Sequence, residues 1–107
     1  MLFRSQTNGT KLLVSAITAW ELAMLISKGR LVLNMDIDSW LQYVSTIEYL
    51  RFVPIDTKVA IESTRLPGEF HKDPADRMIV ALARVLSAEL ITADEKILNY
   101  PHVTTIW

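Results

Sequence analysis

Three carboxylates in this chain share one kind of address. Glu21 lies just after an apolar run, at the start of a helical stretch. Asp76 lies in the opening turn of Asp73-Pro74-Ala75-Asp76-Arg77, and Asp94 directly follows Leu90-Ile91-Thr92-Ala93. In an open parallel sheet, ligands bind outside the carboxyl ends of the strands, so residues leaving those ends, or opening nearby helices, converge on one cleft. Carboxylates converging there without lysine neighbours repel one another, and a cation makes such a cluster tolerable. Oxygen-only donors favour a hard ion, Mg²⁺ or Mn²⁺. One or two such ions activate water and stabilise the leaving oxygen in phosphodiester hydrolysis.

Each acid also has a local role available. Glu21 is placed as the N3 partner of a Thr18-Ala19-Trp20-Glu21 capping box, a role compatible with holding a metal. Asp73 reads first as an N-cap, with Pro74 at N1 where its missing N–H is harmless. Asp76 complements the helix dipole, and Asp94 caps a short helix. Taken singly, none is persuasive; their recurrence at strand-to-helix junctions carries the argument. His71 and His102 have no histidine or cysteine at metal-ligand spacing. A Ser–His–Asp arrangement stays open, but there is no G-x-S-x-G elbow, no GxGxxG and no Walker sequence. Trp20, Trp40 and Trp107 read as core or interface anchors rather than base-stacking platforms. Lys72, Arg77, Arg84 and His71 are candidates to touch RNA phosphates, though solvent or a carboxylate partner suits most of them. Arg77 is the best of the group.

The elements that must position these groups alternate between short β-rich runs and longer helical stretches. Strands are predicted at 11–15, 51–55, 89–93 and 103–107. Helices are predicted at 17–27, 36–48, 56–66, 73–87 and 94–99. Gly29 ends the first helix. Ile37, Trp40, Leu41, Val44 and Ile47 fall on one face of the second. Met78-Ile79-Val80-Ala81-Leu82-Ala83 is apolar nearly all round, so its helix is expected to be buried on most sides. The order β-α-α-β-α-α-β-α-β implies an α/β fold with a largely parallel sheet.

Composition sets the outer bounds. A chain of 107 residues, half apolar and 21% charged, is one domain (1–107) with a real core, not low-complexity disorder. No apolar run is long enough to span a bilayer. There are no cysteines, which excludes disulfide scaffolds and thiolate metal sites. A formal net charge of −1 lacks the strongly basic footprint of many nucleic-acid binders, while leaving room for a local patch. No signal peptide is visible, and a cytoplasmic location is the expectation.

Three ordered stretches resemble one family. They are Leu13-Val14-Ser15-Ala16-Ile17-Thr18-Ala19-Trp20-Glu21-Leu22-Ala23 with Lys28-Gly29-Arg30-Leu31, then His71-Lys72-Asp73-Pro74-Ala75-Asp76-Arg77-Met78-Ile79-Val80-Ala81, then Leu90-Ile91-Thr92-Ala93-Asp94-Glu95-Lys96-Ile97-Leu98. Together they resemble the PIN-domain toxins of VapBC toxin–antitoxin modules, over nearly the whole chain from Lys11 onward. The resemblance implies a three-layer fold with helices on both faces of a mostly parallel sheet. It also implies a Mg²⁺- or Mn²⁺-dependent ribonuclease acting on RNA and restrained by a VapB-like antitoxin. Its catalytic and metal-holding carboxylates fall on Glu21, Asp76 and Asp94, with Asp73, Arg77 and Thr92 as accessory positions.

One departure bears on activity. Family members open with a central strand carrying an aspartate, and nothing before Glu21 is acidic here. The chain is therefore expected to be N-terminally truncated, lacking that strand, its aspartate and the following helix, and supplying three of four main carboxylates. Without the strand, two strand pairs lose their bridge and expose edges. Three repairs follow: the other strands close up, residues 1–4 form a substitute strand (with 1–10 otherwise poorly ordered), or a second copy supplies the pairing. A homodimer is the favoured expectation. The alternative to an active ribonuclease is a catalytically inactive remnant that binds an antitoxin or dimerises. The apolar faces around Leu22/Met24/Leu25/Ile26 and Trp40/Leu41/Val44 would serve that role, although both helices also need a core face.

Overall fold

The computed structural model describes residues 1–4 and 12–106. The expected strand start at Lys11, the expected character of residues 5–10 and the strand end at Trp107 lie outside the described residues. In chain order the elements are β1 (Leu2–Arg4), β2 (Leu12–Ser15), α1 (Ala16–Ser27), α2 (Ile37–Ser45), β3 (Leu50–Val53), α3 (Thr57–Glu62), α4 (Pro74–Leu86), β4 (Glu89–Ile91), α5 (Glu95–Leu98) and β5 (Thr105–Ile106).

The strands form one sheet in the order β3-β2-β1-β4-β5. β2 pairs parallel with β3, and β4 parallel with β5. β1 lies between the two pairs and runs antiparallel to both neighbours, with Phe3 opposite Leu13 on one side and Leu90 on the other. Four strands thus run one way and the central one runs against them, in a mixed sheet within a three-layer α/β fold. The two strand pairs are bridged from inside the chain, so the sheet needs no second copy to join them. Phe3, fully buried, plugs β1 into the core, and Arg4 meets Glu89 across the ladder at 2.7 Å.

The core is built around α4. Ile79 to Ala83 are all buried, as the apolar run predicts, and pack with Phe3, Val59, Leu90, Ile97 and Tyr100. Two helices end earlier than their apolar spacing predicts, for a shared reason. After α3, the Ser63 and Thr64 hydroxyls donate to the carbonyls of Ala60 and Ile61. At the end of α2, Ser45 and Thr46 donate to those of Leu41 and Tyr43. Such back-bonding hydroxyls compete with the helical ladder and favour its end. Asp36, Asp56, Asp73 and Asp94 cap α2, α3, α4 and α5 in turn, each accepting a backbone N–H.

Candidate active site

Glu21 is delivered by a helix that leaves its strand without a loop. Ser15, fully buried at the end of β2, accepts the Ile17 amide at 2.9 Å and caps α1. The helix therefore begins at Ala16, and the predicted Thr18–Glu21 capping box does not form. Thr18 lies inside the first turn, where its Oγ1 donates to the Met1 carbonyl at 3.4 Å. A hydroxyl three residues nearer the strand has taken the cap. Glu21, in the second turn, is left free to face the groove beside α1.

Asp76 and Asp73 come from the opening of α4. Asp73 Oδ1 accepts the amides of Ala75 and Asp76 at 2.9 and 3.2 Å, the cap expected of it, while its side chain also lines the groove. The loop ahead of it is pinned by Arg77. Arg77 Nε donates to the Ser63 carbonyl at 2.8 Å, and its Nη1 donates to those of Phe70 and His71 at 3.1 and 3.4 Å. Arg77 thus acts as a backbone clamp through Nε and Nη1, joining the end of α3 to the loop ahead of α4. Tyr100 adds a second tie through its hydroxyl to the Pro67 carbonyl.

That clamp sets His71 against Asp76. His71 Nδ1 accepts the Asp73 amide at 3.4 Å, which assigns the ring proton to Nε2. Nε2 is shut away from solvent, 3.1 Å from Asp76 Oδ2. The pair is close enough for an ion pair but out of line for a hydrogen bond. His71 thus takes a carboxylate partner, one of the roles its sequence left open.

Asp94 follows β4. Thr92, buried, accepts the Asp94 amide on its Oγ1 at 3.0 Å, and Asp94 Oδ1 accepts the Lys96 amide at 2.9 Å. Thr92 thereby sets the direction in which Asp94 leaves the sheet.

The carboxylates feel one another through Asp76. Partial burial, then the charges of Asp73 and Asp94, push the Asp76 carboxyl above its ordinary range; His71 and Lys96 pull the other way. Glu21 is raised too, mainly by burial, with Asp76 and Asp73 adding to it and the Met1 ammonium opposing. Glu21, Asp73 and Asp76 line one groove of about 950 Å³ between α1, the Pro54-Ile55 turn and the start of α4. Asp94 does not line this groove; its charge is felt at Asp76. Among the described residues, no three acids or histidines are drawn to a common coordination point. The donor set still fits a hard divalent ion. It is all oxygen, its repulsion is already felt at Asp76, and Mg²⁺ commonly takes one or two carboxylates and keeps several waters.

Sequence reasoning missed two features of this region. His71 is the partner of Asp76, a role that its place five residues ahead in a pinned loop did not reveal. Trp20, expected as a core or interface anchor, is 53% exposed on the groove wall, a choice between the two that sequence alone did not make. No residue of α1 is fully buried, so the core face expected of it is only partly realised.

A three-layer α/β fold in which four of five strands run one way, with acids following β2 and β4 and opening α4, is what the PIN-domain resemblance implies. Residues 2–103 match that family, and the chain belongs to it. A similar protein is Ribonuclease VapC22 of Mycobacterium tuberculosis, 37% identical over 99 residues that cover 91% of this chain and 75% of that one. No solved structure matches the chain.

Proposed function

We propose that this chain is a VapC-like toxin: a metal-dependent endoribonuclease that hydrolyses RNA phosphodiester bonds and is held in check by a VapB-like antitoxin. The observation that carries the reading is that Glu21, Asp73 and Asp76, from two different helices, line one groove, with the charge of Asp94 felt at Asp76. The similarity to a protein named as a ribonuclease supports it. Glu21, Asp76 and Asp94 would hold Mg²⁺ or Mn²⁺, which when bound supplies an activated water and charge for the leaving oxygen. The chain's own residues do the rest. Asp73 fixes the head of α4, His71 holds Asp76 from the solvent-shielded side, and Thr92 aims Asp94. The cytoplasm is the compartment this reading calls for. Among the described residues, no helix is long and apolar enough to cross a membrane. Pairing of two copies is part of the proposal on the family's habit alone, since β1 already bridges the sheet.

One observation favours a second reading. The central strand carries Leu2, Phe3 and Arg4, with no acid where the resemblance expects an aspartate. An inactive PIN module that keeps its antitoxin or dimer surface would have this composition.

Cleavage of single-stranded RNA decides between them. The ribonuclease reading expects cleavage that needs Mg²⁺ or Mn²⁺, stops with EDTA and is lost in Asp94→Asn, whose amide still caps α5. Folded protein that cleaves nothing with either metal leaves the inactive module.

A further inference from the structure

We infer that the groove beside α1 is a track for a single strand of RNA, with its flanking phosphate held by Lys28 and Arg30. The inference rests on the ribonuclease reading and extends it to how substrate lies on the protein. One stripe of α1 lines the groove: Trp20 and Glu21, then Met24 and Leu25, then Lys28, with Arg30 following. These positions repeat at helical spacing, so the stripe runs straight along the axis. From Glu21 to Lys28 is seven residues, about 10 Å at 1.5 Å per residue. That length matches roughly three stacked nucleotides at about 3.4 Å each.

The groove's chemistry changes along this line. The carboxylates stand at one end with the exposed indole of Trp20 beside Glu21, Met24 and Leu25 make an apolar middle, and two cations stand at the other end. A single strand presents the complementary series: a phosphate at the reacting end, bases with flat apolar faces, and further phosphates beyond. Proteins that hold single strands combine cations for the backbone with aromatic rings for the bases. Among the described residues, no carboxylate lies within ion-pair distance of Lys28 or Arg30. The helix dipole favours positive charge at the end of α1, but it does not require both cations to line the groove. The backbone there is fixed rather than loose. Gly29, at φ +69°, turns the chain so that its amide reaches the Ile26 carbonyl at 3.0 Å, and the Arg30 amide reaches that of Leu25 at 2.9 Å. This closed turn keeps Arg30 beside Lys28.

The test is equilibrium binding of a fluorescent single-stranded RNA, with Mg²⁺ present, to the Asp94→Asn protein so that cleavage does not intervene. In that background, Lys28→Gln and Arg30→Gln are expected to weaken binding. Each is expected to lower the slope of log affinity against log salt by about 0.7, one phosphate contact on a single strand. Trp20→Leu is expected to weaken binding by between about five- and a hundredfold. Arg51→Gln, exposed on β3 away from the groove, is expected to change neither quantity. Matching circular dichroism and melting midpoints exclude misfolding as the cause. If RNA affinity and salt slope are the same in all groove variants while the parent chain cleaves RNA, the track is wrong and the ribonuclease reading stands. If the parent neither binds nor cleaves RNA, both fail. If RNA affinity is unchanged but a synthetic amphipathic helical peptide loses its hold on Trp20→Leu, the groove belongs to a protein partner and the proposal is overturned.

Discussion

Asp76 is the residue on which the site turns, and its surroundings decide how it behaves. Its carboxyl is raised first by burial and then by Asp73 and Asp94, so neutralising neighbours matter more to it than local capping. His71, at 3.1 Å, is one such neighbour. Partners of this kind orient metal-holding groups, and their loss typically costs about 10- to 100-fold in metal affinity or activity. His71→Ala is expected to lower RNA cleavage within that range, with His71→Gln intermediate and the melting midpoint nearly unchanged. Equal activity in all three proteins would remove His71 from the account.

Glu21 gives a pH signature. Its folded carboxyl sits above the ordinary value of 4.5 that it regains on unfolding. Between those two values the folded chain binds more protons than the unfolded one, so this group's contribution to stability falls as pH rises through the window. Without divalent metal, Glu21→Gln is therefore expected to melt above the parent at pH 7 and level with it near pH 4. Added Mn²⁺ is expected to stabilise the parent at pH 7 and to lose that effect as the pH falls. Calorimetric melts at the two pH values check both signs.

At the scale of elements, the loop of residues 67–73 is the part built for the site. Arg77 holds three of the surrounding carbonyls, a role that its place beside Asp76 in the sequence disguised. A sequence shows that an arginine can bind phosphate, but not that folding brings backbone oxygens to it first. Arg77→Met is expected to cost about 1–3 kcal/mol of stability by orphaning those carbonyls. It is also expected to reduce cleavage while leaving the salt slope of RNA binding intact. A slope lower by about 0.7 would return Arg77 to the phosphate role.

Much else at this scale was legible in the sequence. The Asp73-Pro74 start of α4, the apolar sweep from Ile79 to Ala83 and the Asp94 cap all follow from local chemistry that tertiary packing had no reason to override. The start of α1 was misread because Ser15 and Thr18 are both competent caps. Only burial of Ser15 at the strand end decides between them. The early ends of α2 and α3 were misread because hydrophobic spacing continues past hydroxyls that turn back on the helix.

On the scale of the whole molecule, three residues decide how the sheet holds together. Residues 1–4 have no periodicity to read, and their place depends on partners far along the chain: Leu2 opposite Val14 and Ile91, Phe3 opposite Leu13 and Leu90. Long-range pairing of this kind is what a local reading cannot see. It also answers the gap between strand pairs that had argued for a second copy. Because Phe3 is the buried anchor of that bridge, Phe3→Ala is expected to cost about 3–5 kcal/mol in urea unfolding. A loss below about 1 kcal/mol would mean that β1 adds little to the sheet.

The central claim is that Glu21, Asp76 and Asp94 together hold a divalent ion. Isothermal titration of Mn²⁺ into the purified protein at pH 7 tests it most directly, with Asp76→Asn and the distant Asp38→Asn beside it. The account predicts binding in the parent, the same binding in Asp38→Asn, and affinity at least about tenfold weaker in Asp76→Asn. Binding that is absent from the parent, or undiminished in Asp76→Asn, would contradict it.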